Sequence, residues 1–151
     1  ITETRHGFVC ANAGIDSSNV HGESMVSLLP EDPDRSARSI RAEVQARLRG
    51  TSVAVIISDT FGRAWREGHV NFAIGVSGLS PIKDYVGTVD AVGKVLHVTR
   101  IAIADEIAAA AELVTHKATN VPVSLVRGYR YATSPDDVGS LIRERDRDLF
   151  R

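Results

Sequence analysis

A short apolar run that passes directly into acidic and hydroxyl side chains constrains this chain more than any other stretch. Residues 53–57 are all apolar and mostly β-branched, a pattern that predicts a strand buried on both faces. Ser58, Asp59 and Thr60 follow immediately. Ligands of open α/β sheets bind at the carboxyl ends of strands, which makes Asp59 a candidate binding residue. Asp59 could equally cap the following turn, because Asp is common in turns, and both interpretations stay open.

The overall composition is that of an ordinary globular domain. The 151 residues suffice for one domain with a hydrophobic core, and we predict a single domain over residues 1–151. A hydrophobic content of 43% and a charged content of 25% match the averages of soluble globular proteins. No apolar run is long enough to span a bilayer, and the net charge of −1 gives no electrostatic reason to expect nucleic acid or a membrane as a partner.

Cysteine and histidine usage limits the kinds of disulfide, thiol and zinc site that the chain can form. The single cysteine, Cys10, excludes an internal disulfide and suits a reducing cytosol, so we expect a cytoplasmic protein. Its apolar neighbours predict a small core residue rather than a reactive thiol. The five histidines show no zinc-type spacing, and one thiol cannot supply a thiolate cluster.

Helix signals are clearest in two places. Asp32 as N-cap and Pro33 at the first helical position predict a helix over residues 33–49 that stops at Gly50. Its apolar face would contain Ala37, Ile40, Val44 and Leu48. An Ala-rich segment with acids near its start predicts a second helix over residues 104–114.

The remaining segments predict strands more often than helices. Residues 68–78 alternate apolar and small side chains, and Gly75 and Gly78 within them indicate a bulge or a close backbone approach. Further predictions are a strand at residues 8–10, a hairpin with arms at 84–90 and 94–99, a strand at 121–126, and a helix that starts at Ser134-Pro135 and runs to 143. Because strands follow one another without helices between them, the pattern predicts an α+β fold with mixed or antiparallel sheets rather than α/β.

A polar loop supplies the second candidate site. Residues 11–20 contain Asn12, Asp16, Ser17, Ser18 and Asn19, which prefer turns. The loop is either a surface turn or a place where buried polar groups need a ligand. Asp16, Asp59 and the Thr60 hydroxyl would form an oxygen set for Mg²⁺ if the fold brings the two segments together. No phosphate-binding loop of a standard kind is present.

Several long motifs resemble one known family along nearly the whole chain. They are ETRHGFVCANAGIDSSN at residues 3–19, LLPEDPD at 28–34, SDTFGRAWREG at 58–68, AIG and GL at 73–79, and VPV with VRG at 121–128. In this order they resemble the coenzyme F420:L-glutamate ligase family (the gamma-glutamyl ligase domain). The resemblance implies that family's α+β fold and an intertwined homodimer.

The resemblance also implies an activity. Members are GTP-dependent ligases that add L-glutamate to a deazaflavin coenzyme F420 precursor through an acyl phosphate, and then add further γ-linked glutamates. It implies Mg²⁺ or Mn²⁺, with K⁺ as a further cation. Asp16 and Asp59 resemble the catalytic metal-binding aspartates, Thr60 a third metal ligand, and Asn19 a nucleotide-binding residue. Residues 115–119 depart from the Gly-Lys form of a further nucleotide-contacting stretch, so no contact is carried over to Lys117.

One departure concerns the start of the chain. Family members carry a substantial N-terminal portion that this sequence lacks, and it includes part of the nucleotide site. We therefore expect the chain to keep the metal aspartates, to lose part of the GTP pocket, and to depend on that portion for activity. The alternatives are a non-catalytic or incomplete structural fragment of the ligase, in which these residues only hold loops, and a metal-dependent phosphohydrolase in which they activate water.

Overall fold

A long antiparallel hairpin with one helix on either flank forms the centre of the fold. The computed structural model describes residues 1–22 and 24–149. In chain order the elements are β1 Thr2–Glu3, β2 Val9–Cys10, α1 Pro33–Arg47, β3 Val55–Arg63, β4 Arg66–Ser77, β5 Lys83–Asp84, β6 Arg100–Ile101 and α2 Ile103–Thr115, with 3-10 helices at Ala11–Gly14, Val138–Leu141 and Arg145–Arg147. The strands pair as β1–β2, β3–β4 and β5–β6, all antiparallel. The α+β class predicted from the sequence is confirmed, and every sheet in the described ranges is antiparallel.

Strand β3 does not end where the sequence predicted. It continues through Asp59 and Thr60 to Arg63, because β4 supplies a partner along its whole length. Asp59 is therefore a mid-strand residue opposite Phe72, and the prediction of an acidic strand end is wrong. Neither a turn cap nor the edge of an open α/β sheet describes this position.

Strand β4 confirms the prediction for residues 68–78 and contains the predicted bulge. Ile57 pairs with Gly75 and Ser58 with Ala73, so Ile74 has no partner on β3. A Cβ on Gly75 would lie 2.5 Å from the carbonyl carbon and oxygen of Pro33. The predicted close approach is therefore between this strand and the first turn of α1.

Helix α1 begins as predicted and ends two residues early. The Asp32 carboxylate caps it by accepting the Arg35 N–H at 2.7 Å. Ala37 is fully buried, whereas the side chains of Ile40 and Leu48 are 46% and 57% exposed. The predicted apolar face is confirmed at Ala37 and wrong at Ile40 and Leu48, while Val44 is half-buried. The helix meets the hairpin through Pro33 and Arg41, and the guanidinium of Arg41 donates to the Val53 carbonyl at 2.8 Å.

Helix α2 confirms the prediction for residues 104–114 with one residue added at each end. Ile103, Ala104 and Ala108 are buried. Two acids of the same helix bind β4: Asp105 accepts the Ala73 N–H at 2.9 Å, and Glu112 accepts the Asn71 amide at 3.2 Å. No helix in the two described ranges combines the length and the hydropathy needed to cross a membrane.

Two predicted elements after α2 are wrong. Residues 121–126 form no strand: Pro122 has no N–H to donate, no neighbouring strand of the described chain pairs with the segment, and Val123 and Leu125 are mostly exposed. The helix predicted from Ser134 to 143 is reduced to the 3-10 turn Val138–Leu141. Asp137 caps that turn through the Gly139 N–H at 3.0 Å, and this local bond stops the chain from entering a longer helix.

The predicted hairpin over residues 84–99 is present in irregular form. Val89 and Val95 make an antiparallel bridge, and backbone hydrogen bonds join Gly87 to Leu96 and Tyr85 to Thr99. Regular ladder geometry is confined to β5 and β6 at its base.

One carboxylate joins three parts of the fold around the core. Oδ1 of Asp34 accepts the Val76 N–H of β4 at 2.7 Å and the Val138 N–H at 3.2 Å. The core beside it contains Phe8, Ala73, Ile74, Val76, Leu79, Ile103, Ala104 and Val138. Asp34 thus connects α1, β4 and the C-terminal turn at the edge of this core.

Replacing Asp34 with Ala should lower the free energy of unfolding by about 2 kcal/mol or more, because two backbone N–H groups lose their shared acceptor. Urea denaturation followed by circular dichroism measures the change. Glu31→Ala, at an exposed acid three residues away, is the control and should change stability by less than about 0.5 kcal/mol. Equal effects of the two substitutions would contradict a joining role for Asp34.

Replacing Gly75 with Ala should destabilise the protein by about 1–3 kcal/mol, because the new methyl group meets the backbone of Pro33 and α1 must shift. Gly62→Ala on the opposite strand is the matched control, since its Cβ would meet nothing closer than the His69 ring at 4.0 Å. Thermal unfolding compares the two. Equal losses of stability in the two variants would contradict a specific role of the contact with α1, because the lower backbone entropy of Ala in the unfolded chain favours the folded state in both.

Candidate functional site

Asp59 lies on the aromatic face of the hairpin. Adjacent residues of a strand project to opposite faces, so Asp59 shares its face with Phe61 and with its cross-strand partner Phe72. The side chain is half-buried. Burial raises the pKa of Asp59 above its ordinary value, and the negative charge of Asp16 adds to the rise, while the Thr60 N–H hydrogen bond and the positive charge of Lys117 oppose it.

Asp16 lies in the predicted polar loop, where the backbone is held by an antiparallel bridge to Ser27. Its carboxylate accepts both the N–H and the hydroxyl of Ser18, each at 2.7 Å. These two bonds, the hydroxyl first, together with Lys117 lower the pKa of Asp16 to about 2. The loop is therefore a surface turn built around an ionised carboxylate, the first of the two interpretations left open by the sequence, since Asn12, Ser18 and Asn19 are exposed.

Lys117, which follows α2, forms an ion pair with this loop. Its ammonium lies 3.2 Å from Oδ2 of Asp16, a pair separated by 101 residues in sequence. The side-chain amide of Asn19 donates to the Lys117 carbonyl at 3.3 Å. Asp16, Asn19 and Lys117 are thus in direct contact, and Asp59 is close enough for the charges of Asp16 and Lys117 to act on its pKa.

Lys117 is the residue of this site for which sequence reasoning assigned no contact. The loop containing it follows the end of α2, where His116 adopts a left-handed backbone conformation with φ of 52°. Nothing in the local sequence signals an ion pair with a residue near the other end of the chain, because such a contact depends on how α2 packs against the hairpin.

Thr60 is held on the other face of the hairpin from Asp59. Its hydroxyl donates to Oδ1 of Asn71, the cross-strand partner, at 2.7 Å. Asn71 in turn donates to Glu112 of α2 at 3.2 Å. The backbone N–H of Thr60 donates to Oδ1 of Asp59 at 2.8 Å. The structure therefore brings Asp16, Asn19 and Asp59 to one region and keeps the Thr60 side chain in a hydrogen-bonded chain directed at α2.

Cys10 is a core neighbour of the site, as its sequence context predicted. The side chain is buried, and burial raises the pKa of its thiol above the ordinary value. A hydrogen bond with the backbone of Gly14 opposes that rise, and the negative charge of Asp59 reinforces it. Cys10 therefore stays a neutral thiol beside the Asp59 carboxylate.

The donor atoms that converge are oxygens. No three His, Cys, Asp or Glu side chains come together as a metal site within residues 1–22 and 24–149. By their chemistry, Asp16 and Asp59 are the side chains of this region that could hold a hard divalent cation, since Mg²⁺ is usually held by one or two carboxylates with phosphate oxygens and water completing its shell. The repulsion that helps raise the pKa of Asp59 is also what a cation between these two carboxylates would relieve.

Comparison with known proteins places the chain in a family. The profile of a family described as F420-0:Gamma-glutamyl ligase matches residues 1–128. Proteins named coenzyme F420:L-glutamate ligase are similar along the whole chain: that of Methanothermobacter thermautotrophicus is 51% identical over 154 residues, and that of Methanocaldococcus jannaschii is 45% identical over 152 residues. A third, from Methanopyrus kandleri, is 45% identical over 156 residues.

The matched lengths differ between this chain and its relatives. All of this chain is covered in each comparison, whereas it spans about 60% of the length of the curated relatives it matches. The motifs at residues 3–19 and 58–68, which contain Asp16 and Asp59, lie inside the profile match. With that match and 51% identity across its full length, this chain belongs to the F420-0:gamma-glutamyl ligase family.

Proposed function

We propose that this chain contributes the Asp16–Asp59 centre of a GTP-dependent ligase that joins L-glutamate to the coenzyme F420 precursor F420-0. The observation that carries the proposal is the convergence, in a member of this family, of Asp16, Asp59 and Lys117 from three distant segments. An ion pair between Asp16 and Lys117, with the Asp59 carboxylate near enough to feel both charges, is a charge pattern suited to a phosphate group and its counter-ion.

The reaction needs an activated carboxyl group, because a free carboxylate is a poor electrophile. In the first step a carboxylate oxygen of the acceptor attacks the γ-phosphorus of GTP, the bond to the bridging oxygen breaks, and GDP leaves. In the second step the glutamate nitrogen attacks the acyl carbon, inorganic phosphate leaves and the nitrogen loses a proton. Repeating both steps on the γ-carboxylate of the added glutamate gives the γ-linked extension.

The chain's own residues prepare the site for highly charged substrates. Ser18 holds the Asp16 carboxylate ionised and fixed in direction. The Lys117 ammonium lies beside it, where it can pair with a phosphate oxygen once Asp16 engages a cation. Asn19 ties the two loops together through the Lys117 carbonyl, and its family likeness to a nucleotide-contacting residue supports a second contact of the same loop with GTP.

Mg²⁺ or Mn²⁺ is the proposed cation, and Asp16 and Asp59 are the residues that would hold it. When bound, it would neutralise charge on the phosphoryl group and the acceptor carboxylate as these approach each other. Asp59 already carries a raised pKa from burial and from Asp16, so a positive charge there favours its ionised form. Thr60 supports the site through its N–H bond to Asp59, and its hydroxyl would join the cation only by leaving Asn71. The homodimer implied by the family resemblance is part of the same proposal.

Asp59→Ala should weaken GTP binding in the presence of Mn²⁺ by roughly tenfold or more, because one of the two carboxylates is lost. Isothermal titration calorimetry of GTP with and without Mn²⁺ measures it. Asp84→Ala is the matched control: this exposed carboxylate pairs with Arg100 at the base of another hairpin and should leave GTP binding unchanged. GTP binding that needs no metal and is equal in both variants would refute the assigned site.

Product analysis separates the proposed reaction from the alternatives. Incubation with GTP, Mn²⁺, F420-0 and L-glutamate should yield glutamylated product together with GDP and phosphate in equal amounts. Phosphate released at the same rate without glutamate and acceptor would indicate a phosphohydrolase instead. Absence of both nucleotide and metal binding would indicate a structural role for these residues.

A further inference from the structure

A small aromatic cavity opens on the same face of the hairpin as Asp59. Its volume is about 260 Å³, and Phe8, Phe61 and Phe72 form much of its wall. The Phe61 and Phe72 rings stack with centroids 5.9 Å apart at 24°, and Phe8 meets Phe61 at 6.1 Å and 47°. Three rings held in contact around an open space provide flat apolar surfaces that a planar ligand can contact.

One carboxylate lines this cavity beside the aromatic rings. Asp105 of α2 lines it, and its Oδ1 accepts the Ala73 N–H at 2.9 Å. The other carboxylate oxygen accepts no hydrogen bond from the described residues. Burial raises the pKa of Asp105, and only the Ala73 bond opposes the rise. A half-buried carboxylate that lines an aromatic cavity and has one oxygen without a hydrogen bond from the described residues is able to accept a donor from a ligand.

We propose that this cavity binds a planar heteroaromatic ring whose edge presents an N–H group to the second oxygen of Asp105. The inference rests on the proposed function, which supplies substrates of this kind. The volume lies below the usual range of about 300–1,000 Å³ for whole ligands, so a ring system with its tail outside fits better than a complete nucleotide. Joining α2 to β4 uses one oxygen of Asp105 and leaves the other for the ligand.

The position of the cavity connects it to the reacting centre. Phe72, one of its walls, is the cross-strand partner of Asp59, so a ring held here lies beside the proposed phosphoryl site. Both substrates of the proposed reaction carry suitable chemistry. The guanine base of GTP has an N–H edge, and the deazaflavin ring of the acceptor has an N–H between two carbonyl groups. The test distinguishes these two sources.

Asp105→Asn is the most informative variant. Its amide oxygen can still accept the Ala73 N–H, while an NH₂ group replaces the oxygen that faces the cavity. Binding of the ring-bearing substrate should weaken about tenfold or more, because a charge-assisted acceptor becomes a donor that opposes the ligand N–H. Glu106→Gln is the control: the adjacent, exposed residue of the same helix turn loses the same charge and should leave binding unchanged.

Val9→Trp tests the cavity without altering Asp105. Val9 lines the opening and is 50% exposed, so a larger aromatic side chain can fill the space with little effect on the core. Isothermal titration of the four proteins with F420-0 and separately with GDP gives the comparison. Binding of one or both ligands should fall in Val9→Trp and in Asp105→Asn together.

The pattern of lost binding identifies which ring the cavity holds. Loss confined to F420-0 assigns the cavity to the deazaflavin ring, loss confined to GDP assigns it to guanine, and loss of both supports the shared chemistry. Wild-type affinity for both ligands in the two cavity variants overturns the inference, as does a wild-type protein that binds neither. Glutamate ligation that persists in Asp105→Asn with unchanged substrate KM overturns it too while leaving the proposed function intact.

Discussion

The Asp34 carboxylate is the interaction on which the arrangement of the fold depends. It accepts backbone N–H groups from β4 and from the C-terminal turn while belonging to the first turn of α1. Helix α1 and the C-terminal turn are thereby fixed relative to the central hairpin. The tight approach of Gly75 to Pro33 adds a steric limit to the same junction. Hydrogen bonding and close packing therefore determine the position of α1 on β4, since much of the predicted apolar face of that helix stays exposed.

A second organising feature is the difference between the two faces of the hairpin. One carries Phe61, Phe72 and Asp59, so the candidate catalytic carboxylate lies at the edge of an aromatic surface and is partly desolvated. The other presents Thr60 and its partner Asn71 to Glu112 of α2. A partly desolvated carboxylate and a set of mutually hydrogen-bonded polar side chains thus lie on opposite faces of one two-stranded sheet. Burial on the aromatic face, with a further contribution from the charge of Asp16, raises the pKa of Asp59.

The sequence predicted the elements that depend on neighbouring residues. It failed for the elements whose ends depend on a pairing partner or a competing hydrogen bond elsewhere in the fold. The caps Asp32 and Pro33, the Ala-rich helix and the alternation in β4 follow from neighbours in the sequence, and the structure confirms them. The end of β3, the missing strand at residues 121–126 and the shortened helix after Ser134 each depended on a pairing partner or on a competing side-chain bond. Asp16 and Asp59 could be singled out as candidates by residue type and family resemblance. Their proximity and the ion pair with Lys117 follow only from the packing of α2 and the loops on the hairpin.

The bulge at Ile74 fixes the register of β3 against β4. Side chains of a strand alternate with a period of two, so sliding β3 by one residue would move Asp59 to the Thr60 side and Thr60 to the aromatic side. The unpaired Ile74 is itself buried in the core, which favours this register over its neighbours because any slip would have to withdraw it. An insertion or deletion of a single residue between Ile57 and Phe61 would therefore exchange the chemistry of the two faces while leaving the fold's outline unchanged. The length of this short strand segment therefore decides which face of the hairpin carries the Asp59 carboxylate.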